Sequence, residues 1–202
     1  IAAQPVDLGL HGNYQDSAAF IKAGGQKGLQ IPVLRSGNYA INPFFATIEI
    51  VPMTIVEIGK CGVVTSYVGE DGVDTSDAKV NAKIVEKGFK GIWKEPLGPG
   101  KHPINTKTYK VDMVPTNQIT LSWADSRTNA HDLDSNLKTI TLRTADAFSV
   151  NMDVNVIIHI PMENAPKVIA NQGSIASLIS QVLEPAISSH FRNAAQYIKA
   201  LD

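Results

Sequence analysis

The sequence holds a single cysteine, Cys61, which excludes an internal disulfide and any cysteine-rich zinc site. Basic residues are not in excess. Eighteen Lys and Arg stand against nineteen Asp and Glu, so no surplus charge is available to hold nucleic-acid phosphates, and no polybasic run is available to grip anionic lipid. Nucleic acid is therefore not an expected partner. Aromatic residues make up 6% of the chain, too scattered around Trp93 and Trp123 to form a base-stacking platform. No stretch approaches the ~18 uninterrupted apolar residues of a membrane span. Ile1-Ala2-Ala3-Gln4-Pro5 lacks the charged start and apolar core of a signal peptide, and no methionine opens the chain, so the sequence reads as a piece of a longer polypeptide.

Catalytic signatures are lacking as well. There is no GxSxG elbow, HExxH pair or phosphate-loop spacing, and Gly91, Gly98 and Gly100 around Pro96 and Pro99 read as plain turns. Asp71, Asp74 and Asp77 miss the alternate spacing and closing glutamate of a calcium loop. His131, Asp132 and Asp134 have no second histidine at ligand spacing. His102 sits in a turn, His159 on the less apolar side of a strand and His190 within a helix; His11, in an irregular start, carries no signal. Cys61 lies in the β-like run Cys61-Gly62-Val63-Val64, where a buried, inert thiol is the expectation. No residue is assigned a catalytic, cofactor-binding or metal role, no cofactor is expected, and the chain is read as no enzyme.

What is present is an internal repeat. Residues 28–52 align without gaps to residues 91–115 at an offset of 63, with the identities Gly28/Gly91, Gly37/Gly100, Ile41/Ile104, Asn42/Asn105, Val51/Val114 and Pro52/Pro115. Each unit reads as a glycine turn, an Ile-Asn pair, a strand and a Val-Pro end. Asparagine closes a bend by bonding nearby backbone, and proline, which donates no ladder hydrogen bond, marks a strand end or edge. The two units are expected to superpose as strand–turn–strand elements.

Further strands follow from alternation and β-branched content at Thr54–Ile58, Gly62–Val68, Gln118–Trp123, Lys138–Leu142 and, as one long strand, Phe148–Ile160. Polar stretches at 69–87 and 125–136 read as exposed loops, with room for a short helix in the second half of the first. Beyond Pro161 the period becomes helical. Ser174 is a fitting N-cap, and Pro185 should kink the apolar stripe from Ile175 to Leu201 or begin a second helix within it. Ile175–Leu183 is expected to cover the sheet. Past Pro185, the stripe of Ala186, Ile187, Ala194, Ile198 and Leu201 is expected to lead away toward further helix.

The region from Lys60 to His190 resembles the SPFH, or band-7 (stomatin–prohibitin–flotillin), family. Cys61-Gly62-Val63-Val64-Thr65-Ser66-Tyr67-Val68-Gly69 is similar to its opening GVV strand, and Leu97-Gly98-Pro99-Gly100-Lys101-His102-Pro103-Ile104-Asn105 to its L-x-P-G-x-h-x-I-N-P turn. Thr106 replaces the usual proline there, while the first unit keeps Pro43. Thr144-Ala145-Asp146-Ala147-Phe148-Ser149-Val150-Asn151-Met152-Asp153-Val154 resembles the T-x-D-G-x-x-V-x-V-D-V signature. Ala147 stands at its glycine, so this turn is expected to avoid a positive φ. Leu183–Arg192 is similar to the family's proline-containing helical segment, and the loops and extra N-terminal unit fit a bacterial flotillin-like branch best.

The resemblance implies an α+β fold, an antiparallel, β-rich SPFH-type domain followed by a long C-terminal helical segment, to which the sequence itself adds the internal β repeat. The organisation expected is an N-terminal extension over 1–27, a first β unit over 28–58, and the SPFH domain over 59–202 with helices from about 162. It implies a non-enzymatic scaffold domain of a membrane-associated protein that forms homo-oligomers and organises membrane microdomains. The alternative is a regulatory module binding a membrane protease or channel as client. Membrane attachment is expected through segments outside this chain, leaving this piece itself soluble. Ile187, Ala194, Ile198 and Leu201 are the candidate oligomer interface. Ile31, Val33, Leu34, Phe44 and Phe45, which flank the first unit's turn, are the candidate membrane contact.

Overall fold

The fold is taken from a computed structural model that describes residues 2–3, 5–76, 80–125 and 132–199. The chain opens with strand β1 (Ala2–Ala3), helix α1 (Ser17–Lys22) and strand β2 (Leu29–Gln30), with β1 parallel to β2. Asp16 caps α1, its Oδ1 accepting the Ala19 N–H at 2.9 Å. A small apolar cluster of Val6, Tyr14 and Phe20 gathers Leu8, Leu34 and Phe45. Its centre is His11, buried with its ring centroid 4.5 Å from Tyr14 and 5.1 Å from Phe20. The backbone reaches this arrangement through left-handed conformations at Gly12, Asn13 and Tyr14, and His11 Nδ1 accepts the Tyr14 N–H at 2.8 Å.

The next region holds β3 (Thr54–Val56), β4 (Lys60–Ser66), β5 (Ile84–Val85), β6 (Gly91–Trp93), β7 (Gly100–His102) and β8 (Tyr109–Pro115). Four of these form one sheet in the order β5–β6–β4–β8, while β3 pairs with β7. The continuous apolar run of β4 is explained by its central place, with Cys61, Val63 and Val64 fully buried. Burying each valine contributes about 1.5–3 kcal/mol. Among the described residues of 69–87, the second half forms β5 and no helix.

Beyond these come β9 (Ile119–Trp123), β10 (Ile140–Arg143), β11 (Ser149–Met152) and β12 (Val154–Ile158). The single strand expected over Phe148–Ile160 is two, because it changes partner: β11 pairs antiparallel with β10, and β12 with β9. The change falls at Asp153, whose Oδ1 accepts the Thr139 hydroxyl at 2.7 Å, while that hydroxyl accepts the Asp125 N–H at 3.0 Å. This network ties the end of β9, the approach to β10 and the β11–β12 joint. At the β10–β11 turn, Ala147 has φ +67°, correcting the expectation that alanine there avoids a positive φ. The turn is held in spite of its residue: Thr144 Oγ1 donates to Asp146 and accepts the Phe148 N–H at 3.1 Å.

Helix α2 (Ala165–Gln172) stops at Gly173, and Ser174 caps α3 (Ile175–Leu178), its Oγ accepting the Ser177 N–H at 3.1 Å. Residues Ile179–Leu183 form a π-helical turn that runs into α4 (Glu184–Ala195). Pro185 accounts for this widening, since it lacks an N–H and its ring crowds the preceding turn. Ile169, Ile175, Ile179 and Ala195 share the main core with Leu121, Trp123, Leu137 and Ile140. The stripe beyond Pro185 does not lead away. Ile187 and Phe191 pack against the same core, and the Ile198 carbonyl accepts the Ala145 N–H at 2.9 Å, tying this segment to the β10–β11 turn.

Candidate functional site

The two repeat units build the same turn and then diverge. Asn42 Oδ1 accepts the Phe44 N–H at 2.9 Å, and its carbonyl accepts those of Phe45 and Ala46 at 2.9 and 3.0 Å. Asn105 does likewise, accepting the Lys107 N–H at 3.0 Å on Oδ1 and those of Thr108 and Tyr109 at 3.0 Å on its carbonyl. After Asn105 the chain enters β8. After Asn42, residues 46–53 join no strand ladder, so the expected superposition holds for the turn and fails for the strand. The units also touch: Asn105 Nδ2 donates to the Gln30 carbonyl at 2.9 Å, and Lys107 pairs with Glu49 at 3.2 Å. Glu49 and Lys107 face each other in the register that continues the β3–β7 ladder.

Of the candidate membrane-contact residues, Phe44 is 99% exposed, whereas Phe45 and Leu34 join the His11 cluster and Ile31 and Val33 are half-buried. Of the candidate oligomer residues, Ile187 packs on the domain's own core. Ala194 and Ile198 are exposed beside Tyr197, and Leu201 lies outside the described residues.

Groups with displaced pKa values are dispersed, and each has a structural cause. Burial pushes the Cys61 thiol up, away from reactivity. The Ser76 backbone N–H holds Asp74 below the ordinary carboxylate range, making it a turn-builder that also accepts the Ile84 N–H at 3.3 Å. A hydrogen bond to Asp112, 2.8 Å away, raises Lys110. Asp134 is buried, and Asp77 and His131 lie outside the described residues. His102 Nε2 lies 2.8 Å from the Gly98 carbonyl within its turn, and His159 and His190 are exposed. No metal-competent cluster of His, Cys, Asp or Glu occurs among the described residues. An open cleft of about 470 Å³ is lined by Thr54, Tyr67, Thr106, Lys107, Tyr109 and Lys110, with both lysines already in ion pairs. It gathers no histidine or carboxylate on its walls, as a general acid–base site requires.

The fold is an α+β domain with exposed apolar side chains in the first unit, Phe44 and Ile50, and just beyond α4, Tyr197 and Ile198. The SPFH domain / Band 7 family model matches residues 64–200, more than half of the chain, and the chain belongs to this family. The family consists of membrane-associated, scaffold-like proteins and is generally non-enzymatic. No curated protein matches the sequence. No helix among the described residues is long and apolar enough to cross a membrane.

Sequence reasoning missed the His11 cluster and the Gln30–Asn105 link. The first had a local signal in the Asp16-Ser17 helix start beside Tyr14 and Phe20. The second had none, since it joins residues 75 apart.

Proposed function

We propose that this chain is a non-enzymatic scaffold domain of a flotillin-like SPFH protein, which assembles with copies of itself and organises patches of membrane. The observation that carries this reading is the division of α4 and the turn that follows it into an inward and an outward side. Ile187, Phe191 and Ala195 are committed to the domain's own core, while Ala194, Tyr197 and Ile198 face outward, with Ile198 58% exposed. An outward apolar and small-residue face, held rigid by the core beneath it, suits close approach of a neighbouring helix. Phe44, at the exposed tip of the first turn, is the side chain best placed for shallow bilayer contact.

The test is the double variant Ala194→Asp, Ile198→Asp in the full-length protein, followed by sedimentation velocity and urea unfolding. Self-association should weaken at least tenfold while the unfolding midpoint stays within experimental scatter. Unchanged assembly, or unfolding of the double variant, would remove this face from the assembly role. Assembly that requires an added client protein would favour a regulatory module instead.

A further inference from the structure

β8 is paired along its whole length on one side, with β4, and on its other side it is the edge of the four-stranded sheet. The alternation of an antiparallel ladder decides which of its backbone groups turn outward. Tyr67 donates its N–H to the Thr108 carbonyl at 3.3 Å, and Thr116 donates to Gly59 at 2.8 Å, which fixes the alternation at both ends. Between these ends, Lys110, Asp112 and Val114 bond to β4. Gly62, opposite Met113, agrees: it exchanges both of its hydrogen bonds with Leu97 on the far side of β4, at 2.9 and 2.7 Å. Tyr109, Val111 and Met113 therefore turn their N–H and C=O groups away from β4. The Asn105 carbonyl takes the Tyr109 N–H at 3.0 Å, and among the described residues no strand pairs with the others. The open cleft of about 470 Å³ lies here. Lys110 and Tyr67 line it from one face of the sheet, Tyr109 and Val111 from the other, so it opens at the sheet's rim beside β8.

We propose that this edge pairs antiparallel with the same edge of a second copy of the chain, about a twofold axis at Val111. A twofold pairing sets one outward or inward residue of β8 opposite itself. Centred on Lys110 it opposes two ammonium groups, and on Asp112 two carboxylates; like charges directly opposite destabilise a strand pair. A centre at Met113 sets Val111 against Pro115, which has no N–H. A centre at Tyr109 sets Val111 against Lys107, whose N–H Asn105 already holds at 3.0 Å. Centred on Val111, every contact is complementary. Val111 exchanges both hydrogen bonds with its copy, and each Met113 N–H meets a Tyr109 carbonyl. Tyr109 stands opposite Met113, an aromatic–sulfur contact. Lys110 stands opposite Asp112 on both sides of the axis, at the closely spaced positions of the ladder. A lone lysine would guard such an edge against pairing. Lys110 and Asp112, 2.8 Å apart within one chain, form a neutral pair that exchanges its partners across the axis. The Lys107–Glu49 ion pair lies outside the paired span of 109–113 and is kept. The contact is separate from the outward side of α4 and does not rest on it.

The test is a pair of charge reversals in the full-length protein, Lys110→Asp and Asp112→Lys, each alone and the two mixed. Alone, each sets like charges opposite one another on both sides of Val111. Mixed, a chain with two carboxylates meets a chain with two ammonium groups. Amide hydrogen exchange at Val111 and Met113, whose N–H groups β4 does not use, reads this contact and not association through α4. Exchange there should speed at least tenfold in each single variant and slow again in the mixture, while Val114, bonded to β4, stays protected throughout. Unchanged exchange in the single variants, or a mixture no slower than either alone, would overturn the proposal. So would fast exchange at Val111 and Met113 in the unaltered protein. Dilution of the unaltered protein is the second measurement, and it holds even if a reversal costs Val114 its protection. Protection at Val111 and Met113 should fall as copies separate, and protection that survives full dissociation would show the edge covered by its own chain.

Discussion

Residues 28–52 and 91–115 carry the same asparagine turn, yet one leads into a fully paired sheet strand and the other into exposed chain. The difference teaches which structure is local and which is not. An asparagine turn needs only its own side chain and the next four residues, so both units make it wherever they stand. A strand needs a partner to satisfy its backbone groups, and alternation of apolar residues supplies none. Val51 and Val114 are the same residue at the same place in the repeat. They differ in burial because β4 lies beside only one of them.

The strongest way to break this comparison is a charge at the matched valines. Val114→Asp places an unpaired carboxylate in the fully buried strand pair, and should cost about 3–5 kcal/mol in urea unfolding. Val51→Asp, at the half-buried counterpart, should cost under about 1 kcal/mol. Equal losses would mean that 46–52 is already part of the packed sheet. The matched asparagines give a smaller contrast. Asn105→Ala removes the turn bond and the link to the Gln30 carbonyl at a largely buried site, for an expected loss of about 1–3 kcal/mol. Asn42→Ala removes an exposed turn bond and should cost about 0.5 kcal/mol. A loss at Asn42 as large as that at Asn105 would contradict the claim that only the second turn is locked to another element.

The same division explains what the sequence made legible. Ser174 was readable as a cap because capping spans three residues, and β4 because a buried central strand requires an unbroken apolar run. Pro185 was readable as a disturbance, but its resolution into a π-helical turn that continues onto the core depends on how Ile187 and Phe191 seat. The split of Phe148–Ile160 was not readable, because both halves alternate correctly. The break is made by Thr139 and Asp125, brought to Asp153 by tertiary structure. The His11 cluster draws on Val6, Tyr14, Phe20 and Phe45, whose spacing follows no period; three left-handed residues in succession bring them together. Of the candidate surfaces, Phe45 packs on the ring of Phe20 while Phe44 stays exposed, and Ile187 seats on the core, contacts that no local pattern in the sequence marks.

The glycines sharpen the comparison last and most finely. Gly28 and Gly91 reach nearly the same φ in two different surroundings, so at those positions residue type and backbone agree. At the β10–β11 turn they disagree, since Ala147 holds φ +67°. A left-handed conformation costs an alanine about 1–2 kcal/mol, because Cβ crowds the following carbonyl. Glycine removes that cost but loses about 0.5–1 kcal/mol through the greater freedom of its unfolded chain. Ala147→Gly should therefore stabilise the domain by about 0.5–1 kcal/mol. The turn keeps its shape through Thr144, which bonds Asp146 and the Phe148 N–H, and through Ala145, whose N–H reaches the Ile198 carbonyl. Since none of these bonds involves the Ala147 side chain, the gain should appear in urea unfolding without faster amide exchange at Ala145. A loss of stability would show that the turn's tertiary ties, rather than the residue's own preference, set its energy. Faster exchange at Ala145 would show that the alanine methyl helps hold the C-terminal segment in place.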